Sequence, residues 1–296
     1  MTESDTDTSN RELADEPNAN CAVEKRSAED DATSDRWSKQ VWSRGAYSKI
    51  APNYVSMGGR LVERADVAED DDVLDVGCGT GTVAITAARR GAEVTGVDIT
   101  PGLLERARAN ADIAGIGDIR WQEGDVTALP FEANRFDATL SNLGHMYGDP
   151  PDTATRELLR VTRPGGRIAF TSWTPTTLYP SMAGVVMTAL SPDDLPDFSE
   201  PPFLWGDSGT VQQRLGDSVE RLEFETGTVR YRALSPEQFW QQTATNSGMF
   251  VEALEAVDDA DLPNLREQML ESIETHFDDS ENAIEMEYLL TTATVA

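Results

Sequence analysis

The stretch VLDVGCGTG, residues 73–81, decides the fold of this 296-residue chain. It begins as a short apolar run that passes through Asp75, and it continues with three glycines at alternate positions, Gly77, Gly79 and Gly81. Glycine lets the backbone turn tightly and approach a ligand without obstruction by a side chain. A strand that enters a glycine-rich turn is typical of α/β proteins that bind nucleosides.

A second apolar run follows at residues 93–97 and delivers Asp98, 17 positions after Gly81. The carboxylate of Asp98 can accept hydrogen bonds from both hydroxyls of a ribose. The glycine turn alone is a weak signal, but an acidic residue after each of two strands makes it specific. The pattern therefore predicts a cofactor that contains a ribose.

Short apolar runs alternate with helical patterns from Asp72 onward, which indicates βαβ units and a parallel sheet. The helix after Asp98 has Thr100 as a cap and Pro101 in its first turn. We predict strands at residues 73–76, 93–97, 119–123, 136–141 and 166–173, one or two strands in 219–232, and a final strand at 286–295.

Composition divides the chain into a tail and one domain. Residues 1–35 are acidic and almost free of large apolar side chains, so they predict a disordered tail. The domain then spans 36–296 and opens with helices in 36–66. The segments 174–218 and 236–280 are expected to cover its active face, the latter being mostly helical.

The net charge of −29 limits the partners of this protein. Such a surface repels nucleic acid phosphates and anionic lipid, so we discount nucleic acids as substrates. Only three of the 24 basic residues are lysines, at positions 25, 39 and 49. Acidic, lysine-poor surfaces resemble those of proteins from salt-loving cells, where concentrated cations screen the repulsion. The acidic runs are therefore interpreted as solvated surface, and no metal site is predicted.

Two further observations bear on location. Cys21 and Cys78 are the only cysteines, and their positions argue against a disulfide framework. No apolar stretch approaches the length that spans a membrane, and the first residues do not resemble a signal peptide. The sequence predicts a soluble, cytoplasmic protein and leaves its oligomeric state open.

Five motifs together resemble the class I S-adenosylmethionine-dependent methyltransferases, and the closest similarity is to the subfamily that acts on quinones and other small molecules. The resemblance runs from about residue 42 to 173 and extends to the C-terminal strand. The motifs are VLDVGCGTG (73–81), VTGVDIT (94–100), EGDVTALPF (123–131), FDATLSN (136–142) and RVTRPGGRIAF (160–170).

The resemblance implies a Rossmann-like, doubly wound α/β fold with a seven-stranded, mostly parallel sheet, one antiparallel strand and helical cap insertions. It implies S-adenosyl-L-methionine as the cofactor. The backbone at Gly77, Cys78, Gly79 and Gly81 would hold its methionine part, with the thiol of Cys78 only filling space. Asp75 would lie beneath the cofactor, orient the turn and balance the ammonium and sulfonium charges.

The remaining cofactor contacts are implied residue by residue. Asp98 matches the acid that binds ribose, and Ile99 should lie against the adenine face. Asp125 matches the residue that accepts from the adenine amine, with the Val126 amide nearby, and Asn142 falls beside the methionine part. Two alternatives stay open, since an Asp at a strand end is often a turn or cap residue and Asn142 could simply end its strand.

Methyl transfer from a sulfonium needs little from side chains, because holding donor and nucleophile in line supplies much of the acceleration. His145 follows the fourth predicted strand and is the candidate base, with a structural role as the alternative. Tyr147 is a weaker candidate. The acceptor is expected to be small and apolar or aromatic. Tyr47 and Tyr54 could close over the cofactor, and the residues that suggest an apolar pocket are Trp173, Tyr179, Met182, Phe203, Trp205, Trp240 and Phe250.

The same residues bear on three competing interpretations. A nicotinamide-dependent oxidoreductase would have a third fingerprint glycine where this chain has Thr82, and no lysine has a tyrosine four positions before it. A nucleic acid amino-methyltransferase would carry the tetrad Asp/Asn-Pro-Pro-aromatic where this chain has SNLG, residues 141–144. A cofactor-binding protein without turnover, acting as a sensor or partner, remains an alternative.

Overall fold

An eight-stranded sheet forms the centre of the molecule. The computed structural model describes residues 39–192, 194–196 and 198–296, so the predicted tail at 1–35 and Cys21 lie outside the described residues. The strands are β1 (Asp72–Val76), β2 (Glu93–Asp98), β3 (Arg120–Glu123), β4 (Phe136–Asn142), β5 (Thr162–Trp173), β6 (Val219–Arg232), β7 (Phe277–Asp278) and β8 (Ala283–Val295).

The sheet order is β3-β2-β1-β4-β5-β8-β6, with β7 paired to β8. Strands β1 to β5 pair in parallel, while β8 runs antiparallel to β5, β6 and β7. The predicted α/β fold with one antiparallel strand is confirmed. Strand β7 has only two residues and was not predicted, and residues 219–232 form one strand rather than two.

Helices cover the sheet, and residues 39–43 are helical as well. The α-helices are Tyr47–Ile50, Val55–Arg64, Thr82–Ala88, Pro101–Ala114, Pro151–Val161, Leu178–Ala189, Ser208–Leu215, Pro236–Asn246, Gly248–Ala256 and Leu262–Glu274. Short 3₁₀-helices lie at Ala51–Tyr54, His145–Tyr147, Pro202–Gly206 and Gly216–Ser218.

The helix Pro101–Ala114 shows how local sequence sets an element. Pro101 begins the helix, where its missing N–H removes no intrahelical bond, and Gly115 ends it in the left-handed conformation at φ 70°. Thr100 precedes the helix as expected, but its side chain makes no capping hydrogen bond. Proline geometry therefore fixes this helix start without help from the hydroxyl.

The turn at Pro164-Gly165-Gly166 is part of β5 rather than a break before it. Phe136 pairs with Thr162 and Ala138 with Arg167, so residues 163–166 form a bulge opposite a single residue of β4. Gly165 has φ 71°, which glycine adopts without strain. The strand therefore starts at Thr162, four residues earlier than predicted, because a bulge absorbs the turn.

Candidate active site

A cleft of about 1260 Å³, its open mouth included, lies at the carboxyl ends of β1, β2 and β4. This is the position where ligands bind in open α/β sheets. Its polar wall consists of Gly77, Gly79, Asp98, Ile99, Asp125, Val126 and Asn142. Its aromatic wall consists of Trp42, Tyr47, Tyr54, Tyr147, Trp173, Tyr179, Phe203 and Phe250, together with Met249.

The glycine turn after β1 brings bare backbone into the cleft. Gly77 and Gly79 have φ values of 62° and 53°, in the left-handed region that disfavours side chains. A Cβ on Gly77 would lie 2.7 Å from the Cα of Gly144, which follows β4. The two loops therefore touch backbone to backbone, and the cleft floor depends on glycine at both positions.

Gly81, the last glycine of the turn, packs against neighbouring elements of the fold. It lines neither the cleft nor the smaller pocket beside it. A Cβ there would lie 2.9 Å from the ring of Trp121 and 3.2 Å from Ala107. Gly81 thus permits close packing of the turn against β3 and the helix Pro101–Ala114.

Asp75 lies under the turn, with only 1% of its surface exposed. One carboxylate oxygen accepts a hydrogen bond of 2.9 Å from the amide of Ala84, in the first turn of the helix Thr82–Ala88. Burial raises the pKa of Asp75 to about 8, and the Ala84 amide only partly opposes that shift. Asp75 lines the smaller pocket, which shares Gly77, Gly79 and Asn142 with the cleft.

Asp98 ties the second strand to the turn. Its Oδ2 accepts from the amide of Gly79 at 2.8 Å, and its Oδ1 accepts from the amide of Thr100 at 2.9 Å. Burial raises the pKa of Asp98, and these two amides oppose the shift. Since each carboxylate oxygen can accept more than one bond, both retain capacity for a ligand in the cleft.

The remaining residues of the polar wall come from the next strand ends. Asp125 accepts from both the amide and the hydroxyl of Thr127 at 2.6 Å, so it also stabilises a turn. Asn142 Oδ1 accepts from the hydroxyl of Thr171 at 2.8 Å, and this orients the amide group. Cys78 lines only the smaller pocket, and burial raises the pKa of its thiol.

The structure does not bring His145 to the cleft. Its imidazole is fully buried, with ring centroids 4.2 Å from Phe170 and 4.7 Å from Trp205. Burial, helped by the charge of Arg214, lowers its pKa to about 3. The hypothesis of a base at this position is therefore corrected: the ring is a packed, neutral group, and Tyr147 of the same 3₁₀-helix faces the cleft instead.

Two tyrosines on the aromatic wall meet through their hydroxyls. The oxygens of Tyr54 and Tyr179 are 3.1 Å apart, and the ring of Trp173 lies 5.5 Å from the first and 5.6 Å from the second. Burial raises the pKa of Tyr179 to about 12 and holds that of Tyr54 well above its usual value. Both phenols therefore stay protonated near neutral pH.

The sequence pointed to only part of this wall. Trp173, Tyr179, Phe203 and Phe250 line the cleft as expected, as do Tyr47 and Tyr54, whereas Met182, Trp205 and Trp240 are packed in the core. Trp42 and Met249 were not singled out as ligand contacts. Trp42 packs edge-on against Tyr147 with centroids 4.8 Å apart, a long-range contact that no local spacing announces.

The charged side chains that line the cleft are all negative. Among the described residues that line it, Asp98, Asp125 and Asp149 are acidic and no Lys, Arg or His is present. The described part of the chain also contains no cluster of three or more acidic, His or Cys side chains able to hold a metal ion. Within the same residues, no helix is long and apolar enough to cross a bilayer.

The family model for a methyltransferase domain matches residues 73–166, which hold the glycine turn and all three strand-end acids. This chain belongs to the S-adenosylmethionine-dependent methyltransferases. It is also 32% identical over 273 residues to the uncharacterized protein Rv1405c of Mycobacterium tuberculosis, covering 90% of this chain and 97% of that one.

Two other comparisons place this methyltransferase more broadly. The demethylmenaquinone methyltransferase of Thermus thermophilus is 35% identical over 143 residues, covering 44% of this chain and 64% of that protein. The crystal structure of the YcgJ protein of Bacillus subtilis superposes with a TM-score of 0.55 at 17% identity, covering 80% of this chain and 97% of that one. That likeness concerns the fold alone, and it confirms the Rossmann-like class I architecture.

Proposed function

We propose that this methyltransferase transfers the methyl group of S-adenosyl-L-methionine to a small apolar or aromatic acceptor by in-line displacement. The observation that carries the proposal is the cleft itself, which joins a polar wall of bare backbone and carboxylates to a wall of aromatic side chains. The first suits a charged nucleoside, and the second suits a flat apolar compound.

The polar wall fits a cationic, ribose-bearing cofactor. Asp75 and Asp98 are both buried, and neither forms an ion pair with another described residue. A buried carboxylate without a partner is unfavourable, so a ligand that brings positive charge is stabilised there. We assign the methionine part to Gly77, Cys78, Gly79, Asn142 and Asp75.

The adenosine part is assigned to the neighbouring strand ends. Asp98 would accept from the ribose hydroxyls, since both of its oxygens keep lone pairs beyond their amide bonds. Ile99 would contact the adenine face. Asp125 and the Val126 amide would bind the adenine edge, because both line the cleft after β3.

When bound, S-adenosylmethionine would supply an activated methyl carbon, to which the acceptor's electron pair would bond while the carbon–sulfur pair stayed with sulfur. The chain's own contribution is orientation, which holds the acceptor in line with that carbon and keeps water away. The phenols of the aromatic wall stay protonated, so a proton lost by the acceptor passes to solvent at the cleft mouth.

The similarity to a demethylmenaquinone methyltransferase supports an aromatic acceptor. The experiment is transfer of a tritiated methyl group from S-adenosylmethionine to a small-molecule extract, with Asp98→Ala as the inactive control. Calorimetry with S-adenosylmethionine, S-adenosylhomocysteine and NAD accompanies it. Cofactor binding without labelled product would favour the sensor, and binding of NAD alone would favour the oxidoreductase.

We also propose that the protein works in a salt-rich cytoplasm, on the basis of its net charge of −29. Repulsion among exposed carboxylates falls as cations screen them. The melting temperature should therefore rise between 0.1 M and 2 M KCl. A melting temperature that falls over this range would contradict the proposal.

A further inference from the structure

We propose that the methyl acceptor is an uncharged aromatic compound whose hydroxyl or carbonyl oxygen binds the paired hydroxyls of Tyr54 and Tyr179. This inference rests on the proposed function and names the class of compound that the aromatic wall selects. It is carried by the hydrogen-bonding capacity of the pair, the ring surfaces around it and the absence of positive charge among the described residues that line the cleft.

The pair joins the hydroxyls of two aromatic side chains that line the cleft. Tyr54 ends the 3₁₀-helix Ala51–Tyr54 and Tyr179 lies in the helix Leu178–Ala189, and both line the cleft. Two phenols carry two hydrogens, and the bond between them uses one. One hydrogen and several lone pairs are left for a third polar atom. An oxygen of the acceptor would satisfy that hydrogen in a place from which most water is excluded.

The surroundings of the pair favour a flat ring. Trp173 packs against both tyrosines, and Phe250 lies 6.3 Å from Tyr179 between ring centroids. Phe203 and Met249, both partly exposed, also line the cleft. Rings gain both buried area and favourable stacking in such a site. An aliphatic chain would gain the area alone.

The charges of the residues that line the cleft favour a neutral acceptor over an anionic one. A carboxylate or phosphate in this cleft would meet no Lys, Arg or His among the described lining residues. Burying such an anion without a partner is strongly unfavourable. Burial also raises the pKa of the two phenols, which therefore act as neutral donors and acceptors rather than as a counter-charge. Of the three acidic lining residues, Asp98 and Asp125 belong to the polar wall and Asp149 accepts hydrogen bonds from Ser199, so none of them is bonded to the pair.

The test uses three matched probes on the full chain saturated with S-adenosylhomocysteine: 2-naphthol, naphthalene and 2-naphthoate. Binding is followed by probe fluorescence. We expect 2-naphthol to bind roughly tenfold more tightly than naphthalene, the effect of one buried hydrogen bond. The anion 2-naphthoate should bind most weakly. Equal binding of naphthol and naphthalene, or tightest binding of naphthoate, would overturn the inference.

Variants separate the pair from general packing. In Tyr54→Phe/Tyr179→Phe the rings remain, so naphthalene affinity should stay within twofold while the advantage of naphthol disappears. Tyr231→Phe is the matched control, because the Tyr231 hydroxyl donates to Gln242 and does not line the cleft. Thr243→Val tests whether the buried Thr243 hydroxyl next to Tyr179 takes the spare hydrogen, in which case naphthol affinity would rise. An unchanged naphthol advantage in the double variant would refute the role of the pair.

A missing cofactor site and a wrong acceptor class give different results in these measurements. If S-adenosylhomocysteine does not bind in calorimetry, the proposed function fails before any probe is added. If it binds and the probes show no preference for a neutral oxygen, only the acceptor class is wrong. Melting curves of each variant confirm that a lost preference does not come from lost folding.

Discussion

The two walls of the cleft are built in opposite ways. The polar wall comes from consecutive strand ends within residues 76–142, where each side chain is fixed by the strand before it. The aromatic wall gathers residues from distant parts of the described chain, from Trp42 to Phe250, and all of them except Trp173, the last residue of β5, lie on helices. A wall held by a rigid sheet suits an unchanging cofactor, whereas a wall carried on helices can differ between relatives with different acceptors.

The largest effect is expected where the polar wall has no room for a side chain. Gly77→Ala places a Cβ 2.7 Å from Gly144 and forces a left-handed alanine, so we expect a loss of about 3 kcal/mol in unfolding free energy. Calorimetry should show cofactor affinity falling more than roughly 100-fold.

Gly59→Ala is the matched control for that change. Nothing lies within 4 Å of a Cβ at Gly59, which is inside the helix Val55–Arg64. Alanine there should raise stability by up to about 1 kcal/mol and leave cofactor binding unchanged. Similar behaviour of the two variants would remove the distinction between the turn and ordinary backbone.

Asp98→Ala removes a hydrogen-bonding group from the polar wall without adding bulk to it. Removal of the carboxylate should lower the affinity for S-adenosylhomocysteine by about 2–4 kcal/mol, because charge-assisted bonds to two hydroxyls are lost. Asp207→Ala is the control, since Asp207 also accepts from a backbone amide, that of Thr210 at 2.8 Å, but lies outside the cleft. Equal losses in both variants would show a general effect of removing a carboxylate.

Phe203→Ala tests whether the aromatic wall serves the acceptor alone. Phe203 is partly exposed in the cleft, and loss of its ring should raise the acceptor KM by roughly tenfold, or about 1.4 kcal/mol. Cofactor affinity should change less than twofold. Phe224→Ala, at a partly buried ring on β6, should leave both constants unchanged. If cofactor affinity also fell in Phe203→Ala, the two walls would not bind the cofactor and the acceptor separately.

The last comparison concerns pH, and two buried groups give opposite signs. Asp75 has a folded-state pKa of about 8 against 3.8 in the unfolded chain, so its contribution to stability falls as pH rises from about 4 to 8. His145 has a folded-state pKa of about 3 against 6.5, so its contribution falls as pH drops below about 6.5.

Denaturant unfolding of the cofactor-free protein from pH 4 to 9 measures these contributions. Asp75→Asn keeps an acceptor for Ala84 and should flatten the decline toward pH 8. His145→Phe should flatten the decline on the acid side and leave the pH profile of methyl transfer unchanged. A methyl-transfer profile that loses a limb in His145→Phe would restore the role of that residue as a base.

The polar wall could be predicted from the sequence because its residues follow local strand patterns. Strand periodicity places Asp75, Asp98 and Asn142 at carboxyl ends, and parallel pairing brings those ends to one edge of the sheet. The same reasoning missed Gly144, whose role depends on a backbone contact with Gly77 between two loops. Such contacts depend on how two turns meet in space.

The sequence also could not predict which way side chains point in irregular segments. His145 and Tyr147 lie in one 3₁₀-helix, yet the first packs between Phe170 and Trp205 and the second faces the cleft. Neither a period of 2 nor one of 3.6 applies to three residues, so the sequence offered no basis for choosing between them. Trp42 shows the same limit at long range, because its partner Tyr147 comes from a distant part of the chain.

The most direct test is a crystal structure of the protein with S-adenosylhomocysteine. The account predicts ribose hydroxyls on Asp98, the adenine against Ile99, and the sulfur directed toward the wall that holds Tyr54 and Tyr179. A ribose bound elsewhere, or a sulfur directed away from those tyrosines, would contradict the division of the cleft into a cofactor side and an acceptor side.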